Sequence, residues 1–251
     1  MLVALNAELD TGIAMNLMLG DCLERMKEIP DGSVDMILAD PPYGTTACKW
    51  DSVIPFTEMW LELKRIIKPN GAIVLFGSEP FSSQLRISNL KMYKYDWVWD
   101  KENAANFSLA NKQPMKTHEN ISVFYSKQPI YNPIKTKGNV NHTQGKIKNA
   151  RSSELRGAMV RVADDVTGMK FPKSILRFSK HSSQLRLHPT QKPVELMEYL
   201  IKTYTNENET VLDFCMGSGS TIVAAKNLNR RAIGIEKDAG YFEIARQRLG
   251  V

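Results

Sequence analysis

The stretch Thr210-Val211-Leu212-Asp213-Phe214-Cys215-Met216-Gly217-Ser218-Gly219-Ser220-Thr221 constrains the fold more than any other, because of where it stands. Residues 210–214 are a short apolar run of the kind that forms a buried strand. Gly217 and Gly219 then make a turn, and Ile222-Val223-Ala224-Ala225-Lys226 continues as a helix. A strand, a glycine turn and a helix bring backbone N–H groups up against a nucleotide-like ligand at the helix start. Such a unit normally opens a doubly wound domain. Here only 32 residues follow Gly219, room for the helix, one more strand and a final helix. The other strands must come from the N-terminal half, so the sheet is expected to be circularly permuted, with residues 16–19 following in space on the C-terminal helix.

The rest of the chain supplies those strands. Short β-rich runs predict strands at 16–19, 34–39, 72–76, 95–99, 121–125, 210–214 and 231–236. Helices are predicted at 22–29, 56–67, 81–89, 194–204, 220–228 and 240–249, with Pro69-Asn70-Gly71 marking a turn before the third strand. The alternation predicts an α/β fold: a Rossmann-like sheet of seven mostly parallel strands with helices on both faces. Residues 127–187 break this rhythm, lack a clear period, and hold 13 Lys and Arg against 3 acids. Three segments follow: one half of the sheet domain at 1–126, an inserted irregular region at 127–187, and the second half at 188–251. Clustered basic side chains release counterions from phosphates, which points the insert toward a polyanion.

Composition narrows the class. The 251 residues are 43% hydrophobic, enough for a sizeable core, yet no stretch holds the roughly 18–20 consecutive apolar residues of a membrane span. The first residues show no basic-then-apolar signal pattern, so a cytoplasmic protein with no membrane partner is expected. Cys22, Cys48 and Cys215 are far apart, and His118, His142, His181 and His188 have no ligand spacing, so neither a disulfide framework nor a metal site is expected.

Asp40-Pro41-Pro42-Tyr43 directly follows the apolar run 34–39. Two prolines lack N–H donors and hold φ near −65°, so the strand must end in a stiff turn. The turn fixes a carboxylate, free carbonyls and an aromatic face at the carboxyl end of the sheet, groups that can grip a flat molecule bearing an exocyclic amine. A strand-ending turn with a buried Tyr43 is the plainer alternative for these four residues. On the other side, Ile222 stands where the dinucleotide fingerprint has its third glycine, which argues against a pyrophosphate ligand. Glu236 ends the next strand, 17 residues after Gly219, where an acid can accept both hydroxyls of a ribose. A cofactor with a ribose and no essential phosphate fits, and S-adenosylmethionine is one.

Taken in order, Gly20-Asp21, Asp40-Pro41-Pro42-Tyr43-Gly44, Gly71-Ala72-Ile73-Val74-Leu75-Phe76, His118-Glu119-Asn120-Ile121, His188-Pro189-Thr190-Gln191-Lys192-Pro193 and Asp213–Thr221 resemble the β-class amino DNA methyltransferases. The chain resembles stand-alone or phage-borne members. The resemblance implies a permuted methyltransferase sheet, S-adenosylmethionine as cofactor, and a target-recognition region at 127–187. It implies that Asp40 and the Pro41 carbonyl accept the amine hydrogens, with Pro42 and Tyr43 completing the motif and Tyr43 stacking on a base flipped from duplex DNA. It places Asp21 and Cys22 near the adenine of the cofactor, Glu236 on its ribose, and Asp213, Phe214, Gly217, Ser218, Gly219, Ser220 and Thr221 along the turn. Thr190 and Lys192 would approach its carboxylate. Family members most often carry proline at or beside Cys215, so side-chain contacts there stay open.

Other assignments follow the same resemblance. Arg151, Arg156, Arg161, Arg177 and Arg186 are candidate DNA contacts, Trp50-Asp51 could wall the target pocket or simply pack, and His118 and Glu119 suit an orienting or packing role better than that of a general base. No Cys sits in a Pro-Cys turn, which disfavours covalent attack on a cytosine ring. Asp at the first motif position resembles the adenine-specific group. Amino-cytosine methylation, methylation of structured RNA or of a protein glutamine, and a non-catalytic DNA-binding module stay open as alternatives. A homodimer and a cognate restriction endonuclease are partners that the resemblance allows.

Overall fold

The computed structural model describes residues 14–45, 51–138, 168–179 and 191–251. Its centre is an eight-stranded sheet. In chain order the elements are β1 (Met15–Leu19), α1 (Cys22–Met26), β2 (Val34–Ala39), α2 (Phe56–Ile66), β3 (Ile67–Gly77), α3 (Phe81–Ser88), β4 (Tyr93–Ala105) and β5 (Lys116–Phe124). After them come β6 (Thr136–Lys137), β7 (Met169–Lys170), β8 (Ile175–Arg177), α4 (Val194–Tyr204), β9 (Thr210–Asp213), α5 (Ser220–Asn227), β10 (Arg231–Glu236) and α6 (Ala239–Leu249).

The sheet order is β1-β10-β9-β2-β3-β5-β4-β8. β1, β10, β9, β2 and β3 run parallel in succession, β5 is antiparallel to both β3 and β4, and β8 runs parallel to β4. The first strand of the chain therefore lies beside the last one, Met15 opposite Ala232 and Leu19 opposite Glu236, as a permuted sheet requires. The strand direction puts the ends of β1, β10, β9 and β2 on one edge. Between β9 and β2 the chain order reverses, and ligands of open α/β sheets bind at such a crevice.

Alternation along the central strands splits the core in two, because successive side chains of a strand point to opposite faces. Met36, Leu38, Val74, Phe76 and Val211 pack with residues of α4, α5 and α6 on one face. Ile37, Ala39, Ile73, Leu75 and Leu212 pack with α1, α2 and α3 on the other. Strands covered on both sides are apolar throughout, and β2 is: all but Asp35 of its six residues are buried. Each Leu, Ile or Met so buried contributes roughly 1.5–3 kcal/mol. The helices show the matching stripe, with Met59, Trp60, Leu63 and Ile66 turned inward on α2. Tyr204 at the end of α4 is tied to β4 by the Trp97 indole N–H at 2.7 Å and the Tyr95 hydroxyl at 2.8 Å.

Three features differ from expectation. Pro69-Asn70-Gly71 lies inside β3 rather than before it; the pairing with β2 shifts register between Val34 and Met36, and that irregularity accommodates the proline. His118 and Glu119 lie within β5, not ahead of it, because the β4–β5 hairpin continues beyond its apolar part. Ile175–Arg177 adds an eighth strand at the edge, too short to show a period.

The chain divides into two compact units. One holds the eight-stranded sheet and comprises the described residues up to Asn132 and from Ser174 onward. The other is Pro133–Lys173, in which β6 and β7 form a small antiparallel ribbon and the Lys135 ammonium sits 4.6 Å from the Phe171 ring centre. Among the described residues no helix is long and apolar enough to cross a membrane.

Candidate active site

The carboxyl ends of β1, β10, β9 and β2 surround a cavity of about 510 Å³, within the usual size of small-molecule sites. Each wall is a strand end followed by a turn. From β1 come Gly20, Asp21 and Cys22; from β2 come Asp40, Pro41, Pro42 and Tyr43. β9 and its turn give Asp213 through Ser218 with Ser220 and Thr221, and β10 gives Glu236. Segments as distant in sequence as Asp21 and Glu236 therefore meet at one edge.

The turn after β9 is built around two acids. Asp213 accepts from the Cys215 N–H at 3.0 Å and from the Thr221 hydroxyl at 2.5 Å, so it fastens the strand end to the first turn of α5. Burial pushes its carboxyl up to about 7, against the opposing effect of the Thr221 hydrogen bond. Glu236 Oε2 accepts from the Gly217 N–H and Oε1 from the Asp238 N–H, both at 2.8 Å. Gly219 caps α5 with φ +79°, and a Cβ there would stand 3.2 Å from the Cβ of Ala245. Glycine is thus required both by the left-handed backbone and by the close approach of α6. Gly219 itself is not among the residues lining the cavity.

On the β1 side, Asp21 is the N-cap of α1, accepting from the Leu23 N–H at 3.0 Å, and pairs with Lys237 at 3.1 Å. Cys22 and Cys215 both line the cavity. A hydrogen bond from one thiol to the other holds Cys22 below its ordinary value and, with burial, pushes Cys215 well up.

The β2 corner is organised differently. Tyr43 stacks on Phe81, ring centres 5.0 Å apart, and its hydroxyl donates to Asp40 Oδ1. Lys192, just before α4, donates to Asp40 Oδ2 and lies 3.4 Å from Glu119 Oε2. The loop beyond is held by Asp51, whose two carboxylate oxygens accept from the Gly44 and Thr45 N–H groups at 2.8 and 2.9 Å. Burial raises the Asp40 carboxyl, an effect the Lys192 charge opposes and the Glu119 charge reinforces. Burial and the facing Asp40 charge also push the Tyr43 hydroxyl well up, so it remains a donor.

Of the expected site residues, the structure brings together Asp21, Cys22, Asp40, Pro41, Pro42, Tyr43, Lys192, Asp213, Phe214, Gly217, Ser218, Ser220, Thr221 and Glu236 around one cavity. Lys192 turns its ammonium to Asp40 and Glu119. Arg177 is exposed at the sheet edge, 3.4 Å from Asp100, away from the cavity. Thr190, Arg151, Arg156, Arg161, Arg186 and Trp50 lie outside the described residues. Gly20 lines the cavity beside Asp21, as expected, whereas sequence reasoning missed Lys237, Asp238 and Tyr241 as lining residues. Asp238, two residues after Glu236, is the N-cap of α6 and accepts from the Gly240 and Tyr241 N–H groups, a signal available in the sequence as an Asp before a helix.

Comparison with known proteins agrees with this geometry. A family model described as DNA methylase, covering N6 and N4 methylases, matches residues 34–247. The type II methyltransferase M2.LlaDCHI of Lactococcus lactis subsp. cremoris is 30% identical over 256 residues, which span 91% of this chain and 87% of that protein. The crystal structure of the M1.HpyAVI-SAM complex aligns with 26% identity and a TM-score of 0.61, over 93% of this chain and 99% of that one. PvuII DNA methyltransferase, a cytosine-N4-specific enzyme, shares the fold with a TM-score of 0.66 and 17% identity, over 93% of this chain and 86% of that one. With most of its length matched and its strand ends gathered on one cavity, the chain belongs to the amino DNA methyltransferases, enzymes that use S-adenosylmethionine to methylate an exocyclic amine of a DNA base.

Proposed function

We propose that this protein transfers a methyl group from S-adenosylmethionine to the exocyclic amine of an adenine flipped out of duplex DNA, at a specific sequence. The observation that carries the reading is the Asp40 carboxylate, held by Lys192 and Tyr43 beside the cavity at the point where the chain order reverses. Asp in this motif resembles the adenine group, and that resemblance is the ground for preferring adenine to cytosine.

The cavity suits the cofactor by its donor set. Both Glu236 oxygens accept one backbone N–H each. A carboxylate has about four lone-pair sites, so two remain for the hydroxyls of a ribose. Asp21, beside Gly20 and Cys22, would bind near the adenine amine. Phe214, Gly217 and Ser218 would line the methionine side, where the start of α5 favours a carboxylate. Asp213, Ser220 and Thr221 hold that turn in shape. When bound, S-adenosylmethionine supplies an electrophilic methyl on a sulfonium centre.

The chain's own residues then orient the acceptor. Asp40 and the Pro41 carbonyl take the two amine hydrogens, which turns the nitrogen lone pair out of conjugation and toward the methyl for in-line transfer. A carboxylate oxygen accepts more than one hydrogen bond, so Asp40 Oδ1 can be shared between the Tyr43 hydroxyl and the amine. The Tyr43 ring offers the base a stacking surface, offsetting part of the few kcal/mol that flipping costs. The basic 127–187 region would follow the phosphates, with Arg151, Arg156, Arg161, Arg177 and Arg186 as candidates for contact, so binding should weaken steeply with salt. A homodimer is compatible with this reading.

The test is nucleoside analysis of duplex DNA methylated in vitro with labelled cofactor. N6-methyladenine is expected. N4-methylcytosine with no methylated adenine would refute the choice of base and leave the amine mechanism standing. Competition by structured RNA as strong as by duplex DNA would refute the choice of nucleic acid.

A further inference from the structure

Four charged side chains form a row leading from the reactive corner into the sheet: Asp40 after β2, Lys192 before α4, Glu119 in β5 and Lys101 in β4. Lys192 donates to Asp40 Oδ2 and lies 3.4 Å from Glu119 Oε2, and Lys101 donates to Glu119 Oε1 at 3.2 Å. Water reaches little of them: side-chain exposure is 6% for Lys192, 9% for Lys101, 15% for Glu119 and 19% for Asp40. The row is electrically balanced, two cations and two anions in alternation. The Lys192 ammonium also lies 5.1 Å from the centre of the Phe76 ring, whose face favours a cation.

Buried ion pairs are a weak source of stability, since apolar residues of the same volume often do as well or better. Stability alone therefore does not account for four withdrawn charges at the entrance to a reaction site. Their order does. The inner pair, Lys101 and Glu119, contacts no cavity-lining residue other than Lys192 through these bonds, and Lys192 hands the effect on to Asp40.

We propose that Lys192 is a positioning residue for methyl transfer: seated by Glu119 and Lys101, its ammonium fixes Oδ2 of Asp40, so that Oδ1, shared with the Tyr43 hydroxyl, accepts the base amine. The proposal rests on the reading of Asp40 as the amine acceptor. Its logic is one of donors and acceptors. An amine presents hydrogens, and a protonated carboxyl would present one too. Burial drives Asp40 toward that neutral form, and the Lys192 charge drives it back. The groups facing Asp40 are Lys192, Glu119, the Tyr43 hydroxyl and, from β9, Asp213, with Asp51 near Tyr43. Among the described residues Lys192 is the cation in this group. Burial pushes Glu119 up too, yet the charges of Lys192 and Lys101 hold it low, so it stays an anion able to pin the ammonium. This role differs from a contact between Lys192 and the carboxylate of the cofactor.

The test uses the full chain with Lys192→Met, Glu119→Gln, the double variant and Asp40→Ala, reading cofactor affinity by calorimetry and single-turnover methylation of duplex DNA against pH. For Lys192→Met the expectation is wild-type cofactor affinity, a rate reduced about 100-fold, and an acidic limb displaced to higher pH. Glu119→Gln should reduce the rate about 10-fold at unchanged cofactor affinity, without raising the acidic limb, because its own charge opposes ionisation of Asp40. The double variant should be no slower than Lys192→Met, since both act through one carboxylate. Glu119→Gln keeps size and polarity and tests the idea should Lys192→Met fold poorly. Cofactor binding weakened at least about 10-fold in Lys192→Met, with the saturated rate and pH limb of wild type, would overturn the proposal. So would wild-type rates and limbs in both variants. Asp40→Ala separates the two layers: if it is inactive while Lys192→Met matches wild type, the positioning idea alone fails. If Asp40→Ala keeps the wild-type rate, the acceptor reading and the proposal fall together.

Discussion

The acids on the cofactor side of the reactive edge and those on the β2 side are held by different kinds of partner. Asp21, Asp213 and Glu236 each accept from backbone N–H groups, those of Leu23, Cys215, Gly217 and Asp238, and the one lysine among their partners, Lys237 on Asp21, is exposed rather than buried. Most of these donors are two residues away. Asp40 and Glu119 are held instead by the side chains of Lys192 and Lys101, and Lys192 is 152 residues from Asp40. A carboxylate tied to its own turn fixes the shape of that turn, and its loss should loosen a binding surface. A carboxylate tied to a buried ammonium has its charge set from outside, and its loss should change chemistry with the surface left intact.

Asp40→Ala should lower methyl transfer by about 10³-fold or more while cofactor affinity stays at the wild-type value, measured with labelled cofactor and by calorimetry. A parallel fall in both would erase the distinction. The next largest effect concerns Asp213. Burial lifts its carboxyl from the ordinary 3.8 to about 7 in the folded protein. A raised acid stabilises the fold below its unfolded pKa and loses that contribution as pH rises through the folded value. Wild type should therefore lose up to about 4 kcal/mol between pH 4 and 7 relative to Asp213→Asn, seen in melting temperature against pH.

Smaller effects sharpen the contrast. Glu236→Ala leaves the Gly217 and Asp238 N–H groups without their acceptor. Cofactor affinity should fall roughly 10–100-fold, with the rate at saturating cofactor little changed. A changed saturated rate with unchanged affinity would place Glu236 with the β2 group. Last, Gly44 has φ +68°, and an added Cβ would meet Val53 Cγ2 at 2.8 Å. Gly44→Ala should cost about 1–2 kcal/mol in denaturant unfolding, as the loop clasped by Asp51 gives way.

Much of this was legible in the residues. All seven expected strands of the sheet occur, and so do all six helices, because short apolar β-rich runs and the helical stretches between them are plain there. The carboxyl-edge position of Asp40, Asp213 and Glu236 followed from where apolar runs end. The added strand Ile175–Arg177 was not legible. Three residues carry no period, and its partner residues in β4 lie 77 positions earlier in the chain. The length of the β4–β5 hairpin escaped for a related reason: Asp100 pairs with His118 and Ala105 with Lys116 in a stretch of mostly polar residues that carries no strand period.

Sequence alone determined the permuted order of the parts and the kind of turn that closes each central strand. Those depend on short-range chemistry: a proline without an N–H, a glycine at positive φ, an acid two residues before its donor. Only the tertiary structure decided which charges face each other. Nothing in the spacing of Asp40, Lys101, Glu119 and Lys192 marks them as a set. They meet because β2, β4, β5 and the start of α4 converge on one edge, where exclusion of water makes each charge depend on the next.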